Sequence, residues 1–514
     1  MSLGSISPAT RSAALQSMSS DVLDLLVVGA GATGCGTALD AAARGLRVGI
    51  IDKGDIAGGT SSRSSKLVHG GLRYLQQGNV SLVREALRER DLLLTTTAPH
   101  LVAPQPFILP LRHRGWERPY VGAGLLLYDM LGGSRALPRH RHLSRRRMLE
   151  QFPFLRREEF VGGLRFFDAR MDDARLAVAL ARTAVSQGAE LATYAALSSR
   201  LPDRGDGLHR LVVRDVLSGE ELVVTARAVA LCVGVWAPEA AGLFAEGPSA
   251  IAVTRSKGVH IRLPRSAIDG DVALIVPTEK SVLFVIPSED HWLVGTTDTE
   301  WTQGPDEPGV EDADIAYLLT SLAGVLSRPV EASEVTYSFA GLRPLVREQA
   351  MGGDTAKASR EHRIARLAPG VLAIVGGKWT TYRVMASDMV DTVLSELGVA
   401  PRPCPTAAIP LIGAEHDVRP GDGRDRVLRQ RYGSVAAEVL ALIDEDPELG
   451  QPLAGGTAFF RAEVVHACVN EGAVLREDVV DRRLRFGLHL DAVPESLLAE
   501  TSALMAGVED SSRP

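Results

Sequence analysis

Residues 22–52 constrain this 514-residue chain more than any other stretch. Val22 to Val28 is a nearly continuous apolar run, the pattern of a strand buried on both faces of a parallel sheet. It runs into Gly29-Ala30-Gly31-Ala32-Thr33-Gly34 and then an alanine-rich helical stretch to Arg44, with Gly45 placed to end it. Leu46 to Ile51 reads as a second buried strand, and Asp52 follows at its C-terminal end. Each part of this β-α-β unit has a physical task. Gly29 permits a tight turn, Gly31 lets the backbone approach a pyrophosphate, and Gly34 allows close packing of helix on strand. The helix start offers free N–H groups and partial positive charge to phosphates. Asp52, 18 residues after Gly34, can accept hydrogen bonds from a ribose hydroxyl and would repel a 2′-phosphate. The unit predicts dinucleotide binding.

The rest of the chain has the balance of an ordinary water-soluble globular protein, with 45% hydrophobic and 23% charged residues. Its length suggests about three structural units. Cys35, Cys232, Cys404 and Cys468 are far apart and fit no zinc spacing, so neither a disulfide framework nor a metal site is expected. A net charge of −7 argues against general nucleic-acid affinity. The first 20 residues, rich in Ser, Ala and Thr, read as a disordered leader without a signal core, and no apolar run is long enough to span a membrane. A cytoplasmic protein is expected.

Further along, 173–187 reads as a helix, and 190–194, 211–215 and 226–233 read as strands. Residues 251–263, 272–276, 281–287 and 291–297 read as short strands of an antiparallel sheet. Val371 to Val375 is another buried strand, ending in Gly376-Gly377 before a helix from about Thr380 to Leu397. The proline-rich 401–405 stretch reads as a linker, and residues 406–514 as a mostly helical C-terminal unit.

Residues 60–75, Thr-Ser-Ser-Arg-Ser-Ser-Lys-Leu-Val-His-Gly-Gly-Leu-Arg-Tyr-Leu, closely resemble the flavin-proximal segment of FAD-dependent (aerobic) glycerol-3-phosphate dehydrogenases. Five more segments match that family in order: 171–176, 256–260, 295–298, 341–345 and 376–383 (Gly-Gly-Lys-Trp-Thr-Thr-Tyr-Arg). The resemblance implies noncovalent FAD, oxidation of sn-glycerol 3-phosphate to dihydroxyacetone phosphate, and electron delivery to a membrane quinone. It also implies an α/β fold. A Rossmann-like FAD domain is assembled from about 21–100, 160–250 and 340–400, and an antiparallel-sheet substrate domain mainly from 251–339. Residues 101–157 form a basic segment beside the sheet, and a helical cap stands at the C-terminus. A homodimer is left open.

Within that resemblance each candidate has a chemical reason. The substrate phosphate carries about −1.5 to −2 charge, which calls for cations with fork geometry. Arg343 in Gly-Leu-Arg-Pro-Leu leads, Arg360 is second with Arg363 as the alternative register, and Lys257 is a weaker candidate. Lys378, after a glycine pair at a strand end, can stabilise negative charge on a reduced flavin or bind substrate. Removing the hydroxyl proton needs a base with a pKa near the operating pH, and His69 is the first choice and His260 the second. Thr60, Ser61, Ser62 and Ser65 offer hydroxyls to the cofactor, and Gly376, Gly377, Thr380 and Thr381 resemble the family's second flavin contact, where the following helix N-terminus points at the pyrimidine ring. Only six of the 56 basic residues are lysines, and Lys66, Lys257 and Lys378 fall in matched segments.

Residues 101–157 carry eleven arginines against Glu117, Asp129 and Glu150, a net of +8 interleaved with Trp116, Tyr120, Tyr128 and a leucine run. Such a surface fits docking to an anionic membrane, at the cytoplasmic face of the inner membrane where a quinone resides. Two alternatives stand beside this: a soluble glycerol-3-phosphate oxidase using oxygen, and a flavoprotein scaffold that binds a partner through the basic segment.

Overall fold

The computed structural model describes all residues except 1–2, 77, 133–135, 245–250, 252, 279–281, 289, 307, 347–360, 415–422 and 512–514. The apolar runs of the sequence become the centre of an eight-stranded sheet. Its parallel core is ordered Val371–Gly376, Glu221–Leu231, Val22–Val28, Val48–Ile51, Glu190–Ala192. Leu25 and Val27 face the helices Ala32–Ala43, Asp173–Ser186 and Tyr382–Glu396, whereas Leu26 and Val28 face the opposite layer. Burial on both faces is why these strands read as continuous apolar runs.

The first 20 residues depart from expectation: they hold an ordered helix, Pro8–Ser20. Ser7 and Thr10 cap it reciprocally, and Ala14, Leu15 and Met18 pack against the first sheet. The Arg11 guanidinium is buried with it, 2.6 Å from Asp215 and bonded to the carbonyls of Thr193 and Tyr194. Gly49 makes the room, since a Cβ there would lie 2.6 Å from Met18 Sδ. The helix is therefore part of the core of the dinucleotide unit. A composition of Ser, Ala and Thr conceals it because its contact with the sheet uses small side chains and one arginine.

A second sheet of ten strands covers the first unit. The expected short strands are present as Val253–Pro264, Ala273–Pro277, Val282–Pro287 and His291–Gly295. The sheet also recruits Leu67–Val68, Val102–Leu111, Gly162–Met171 and Tyr337–Val346, three of which lie partly or wholly in segments expected for the FAD domain. The boundaries at 100, 160 and 340 shift accordingly. The sheet is mixed, because Ala273–Pro277 pairs in parallel with Val102–Leu111. Among the described residues no helix is long and apolar enough to cross a membrane.

The C-terminal unit is mostly helical, with Gly423–Tyr432, Ala436–Glu445, Arg461–Asn470 and Glu495–Ser511 around two small cores. It is fastened to the first unit by a fork in which both terminal nitrogens of Arg175 lie 2.6 Å from Glu471 oxygens. Burial opposes the Glu471 charge, but Arg175 outweighs it and holds the carboxyl down to about 2. A depressed carboxyl contributes stability above its unfolded value and loses it as pH falls through the folded one. Glu471→Gln should therefore destabilise the protein by about 3–5 kcal/mol at neutral pH. The gap from wild type should narrow as pH falls from 4.5 toward 2. Thermal unfolding across that window checks this, and a gap that stays constant would contradict it.

Candidate active site

A cavity of about 590 Å3 lies at the C-terminal ends of the central parallel strands. Its floor is the turn read from the sequence. Gly29 has φ +106°, and a Cβ there would lie 2.6 Å from the Cys232 carbonyl oxygen. Gly34 is tighter still, its Cβ position falling 1.8 Å from the Gly29 oxygen, so no larger residue allows the helix to start where it does. Gly31 stands at the N-cap of the Ala32–Ala43 helix without a side-chain cap of its own. Ser61 Oγ accepts from Ala32 N at 3.0 Å and lines the cavity there. The Asp52 carboxylate accepts from Ala30 N (2.6 Å) and Gly54 N (2.9 Å), and burial raises its pKa despite those two bonds. A helix start at the cavity floor, absent side chains and one carboxylate at the ribose position fit a dinucleotide.

The far wall is built by three of the matched segments, through Thr60, Ser61 and Arg63, Leu342 and Pro344, and Gly376 to Trp379. Gly376 and Gly377 line it with φ +78° and +77°, and Lys378 and Trp379 follow. Trp379 Nε1 donates to the Ser61 carbonyl (2.9 Å), and His69 N donates to Thr380 Oγ1 (3.2 Å). Residues 60–75 and 376–383 are thereby locked together. Lys378 Nζ stands 3.7 Å from the centre of the Tyr74 ring. Sequence reasoning passed over Tyr74, although its place five residues after His69 in a matched segment was a usable signal.

Over this wall lies one face of the second sheet. The register aligns Phe284, Gly295, His260 and Phe339 in a single cross-strand row. The His69 ring is 6.2 Å from Phe284, and His260 stacks on Phe339 at 5.0 Å. Gly295 makes room for His260, and Gly258 makes room for the Arg343 guanidinium, which a Cβ there would meet at 2.4 Å. Arg343 spans three matched segments, donating to Thr296 Oγ1 (2.9 Å), Ser256 Oγ (3.2 Å) and the Thr297 carbonyl (3.2 Å).

Several expected side chains are turned elsewhere. Lys257 alternates with Ser256 and Gly258, so it points through the sheet to the other face. There its ammonium is buried 2.8 Å from Asp314 and 3.3 Å from Glu311, away from Arg343. Ser62 Oγ donates to the Ala57 carbonyl, Ser65 Oγ meets His260 Nε2, and Thr381 Oγ1 donates to the Lys378 carbonyl, so these hydroxyls serve the protein itself. Thr60 lines the cavity but its hydroxyl donates to Leu342 O (2.7 Å). Lys66 is spent on Asp173 at 2.6 Å. His260 is buried, and burial, Arg343 and Lys66 together push its pKa well below the ordinary value. Arg360 lies outside the described residues, and Arg363 is exposed on an edge strand.

Comparison with known proteins agrees with this construction. The FAD dependent oxidoreductase family matches residues 24–383, and the C-terminal domain of alpha-glycerophosphate oxidase matches 404–510. The chain is 42% identical over 496 residues to glycerol-3-phosphate dehydrogenase 2 of Mycobacterium tuberculosis, covering 94% of this chain and 84% of that protein. It is 38% identical over 506 residues to glycerol-3-phosphate dehydrogenase 1 of the same organism, with 94% and 95% covered. The crystal structure of the glycerol-3-phosphate dehydrogenase from Bacillus halodurans, complexed with FAD, superposes with a TM-score of 0.74 at 27% identity. That match covers 98% of this chain and 97% of that one.

The cavity floor makes one requirement explicit. Gly31→Val keeps an allowed backbone but places a branched side chain against Ser61 and the helix N-terminus. The variant should fold and purify without flavin absorbance, and normal flavin content would contradict the placement.

Proposed function

This chain belongs to the FAD-dependent glycerol-3-phosphate dehydrogenase family, and we propose that it passes the electrons from sn-glycerol 3-phosphate to a membrane quinone while docked on an anionic membrane surface. The observation that carries the chemical part is the lock between residues 60–75 and 376–383, in which His69 N bonds Thr380, Trp379 bonds the Ser61 carbonyl and Lys378 stands against the Tyr74 ring. Bound flavin supplies the two-electron acceptor for the hydride lost from the substrate carbon.

The remaining work falls to side chains. Arg343 presents a planar fork beside hydroxyl and carbonyl acceptors that a phosphate can replace. His69 takes the hydroxyl proton. His260 is the poorer base, because a buried imidazole held far below its ordinary pKa accepts a proton too weakly at neutral pH. Its bond to Ser65 makes it a positioning residue for the 60–75 loop. Lys378 places positive charge at the wall where the flavin ring would gather negative charge.

The acceptor and membrane reading rests on residues 101–157. Around the helix Glu117–Gly132, Gly122, Leu125 and Tyr128 face inward. Trp116, Tyr120, Leu127 and Met130 are 61%, 54%, 39% and 69% exposed on the opposite side. Arg139, Arg141, Arg145, Arg146 and Arg147 are exposed in the same segment. An outward apolar stripe with nearby arginines suits the headgroup region of an anionic bilayer at the cytoplasmic face.

Anaerobic glycerol 3-phosphate should bleach the bound flavin, and a quinone analogue should restore it faster than air. Rapid reoxidation by air with stoichiometric peroxide would favour an oxidase, and absence of bleaching a scaffold. His69→Ala should slow bleaching by about 10²–10⁴-fold, the range for loss of a general base. Arg343→Ala should chiefly raise the substrate concentration needed. Reversing the five exposed arginine charges should abolish sedimentation with anionic vesicles and spare activity on a soluble acceptor; unchanged sedimentation defeats the membrane reading.

A further inference from the structure

We propose that the C-terminal unit is a brace for the cofactor loop: through Arg482 and Arg483 it holds residues 52–59 against the glycine turn, and so retains FAD. The loop has no regular secondary structure through Gly58, yet Asp52, Gly58 and Gly59 form part of the cavity wall. Its curvature depends on a few contacts. Ala57, at φ +59°, donates its N–H to the Ala30 carbonyl (3.0 Å) inside the glycine turn. Tyr194 N donates to the Gly54 carbonyl (2.9 Å), and Ala195 N to the Asp52 carbonyl (2.7 Å).

The loop's own charge is not balanced locally. Asp55 is 2% exposed, and among the described residues every cation paired with it comes from the C-terminal unit. Arg483 grips it as a fork, with both nitrogens 2.8 Å from the two carboxylate oxygens, and Arg482 Nε adds a third bond. The Arg483 guanidinium also donates to the Glu471 carbonyl. Asp478 completes the ring of contacts. It accepts from Arg482 (2.6 Å), from the backbone of Val474 and Leu475, and from the Tyr194 hydroxyl (2.6 Å). The path Gly54, Tyr194, Asp478, Arg482, Asp55 therefore closes on itself, with two of its five members supplied by the C-terminal unit.

Two carboxylates and two guanidiniums balance one another in this buried cluster, and Asp55 stays ionised there because the arginines outweigh its burial. Removing the arginines leaves a buried carboxylate without a cation, which can regain water only by moving the loop outward. Gly58 and Gly59 would move with it and open the wall. A unit that merely packed against the surface would need apolar contact there, not a charge-matched fork on a cofactor loop.

The test compares FAD affinity, by titrating apoprotein with FAD and following quenching of flavin fluorescence, in Arg483→Ala, Asp55→Asn and Arg482→Lys. Arg461→Ala serves as control, since it removes the Arg461–Glu500 pair inside the C-terminal unit without touching the loop. The brace predicts a Kd for FAD raised about tenfold or more in Arg483→Ala and Asp55→Asn, a smaller rise in Arg482→Lys, and no change in the control. Flavin reduction by substrate should return to the wild-type rate when FAD is saturating. An unchanged Kd in folded Asp55→Asn, or an equal rise in the control, overturns the proposal. Should Arg483→Ala fail to fold, Asp55→Asn and Arg482→Lys still decide it, because both keep the side-chain volume nearly unchanged.

Discussion

The contact between Gly34 and the Gly29 carbonyl admits no side chain at all, and the rest of the site depends on it. A Cβ at that position would push the Ala32–Ala43 helix away from the strand that leads into it. With the helix displaced, its first N–H groups would no longer face the cavity. The Asp52 carboxylate, which reaches back to Ala30 N, would lose its partner. One tight approach thus fixes the helix axis, the phosphate position and the ribose position together.

A second constraint comes from the interleaving of the two sheets. The chain leaves the first unit after Ile51 and contributes Leu67–Val68 to the second sheet. It returns to the first unit with the Asp173–Ser186 helix. Asp173, at the start of that helix, accepts from Ser64 and Lys66 and so ties the 60–66 loop to it. Beneath His69, Gly70 N donates to the Tyr128 hydroxyl, which in turn bonds Asp168, itself paired with Arg90. The glycine-rich segment is consequently held from three sides, and its neighbour Tyr128 sits on the inner face of the helix whose outer face carries Trp116, Tyr120, Leu127 and Met130.

Legibility in the sequence follows the kind of force that acts on each segment. The central strands were readable because burial on two faces leaves no polar position, and the glycine turn because each glycine has a separate steric reason. Segment Val102–Leu111 was harder, since Pro104, Pro106 and Pro110 argue against a strand inside a sheet. All three share one parity, so their missing N–H groups fall on one edge. The Leu111 carbonyl, of opposite parity, bonds on the other side to Val161 N. The proline edge meets its parallel neighbour only at Phe107 and Ile108, so the prolines cost the sheet little. The Pro8–Ser20 helix and the inter-unit forks were not readable, because they depend on partners hundreds of residues away. Lys257 was misread for a simpler reason: a motif names a residue, and strand alternation decides which face receives it.

The scarcity of lysine also takes a different meaning in three dimensions. Arginine makes the joints between distant segments, as planar forks from Arg175 to Glu471, Arg383 to Glu89 and Arg483 to Asp55. A fork fixes the orientation of both partners, which a joint between units requires. Lysine remains where a point charge suffices or where a fork would not fit: Lys66 on Asp173, Lys257 between Glu311 and Asp314, Lys53 beside Asp306 and the Trp236 ring. Lys378 stands at the cavity wall against the Tyr74 face, as Lys53 does against the Trp236 ring. Replacing that compact ammonium by a guanidinium would extend planar bulk into the space between Tyr74 and Gly71, where its Nζ already lies 3.4 Å from the Cβ position of the glycine. Steric confinement therefore accounts for a lysine at this position independently of the charge it places there.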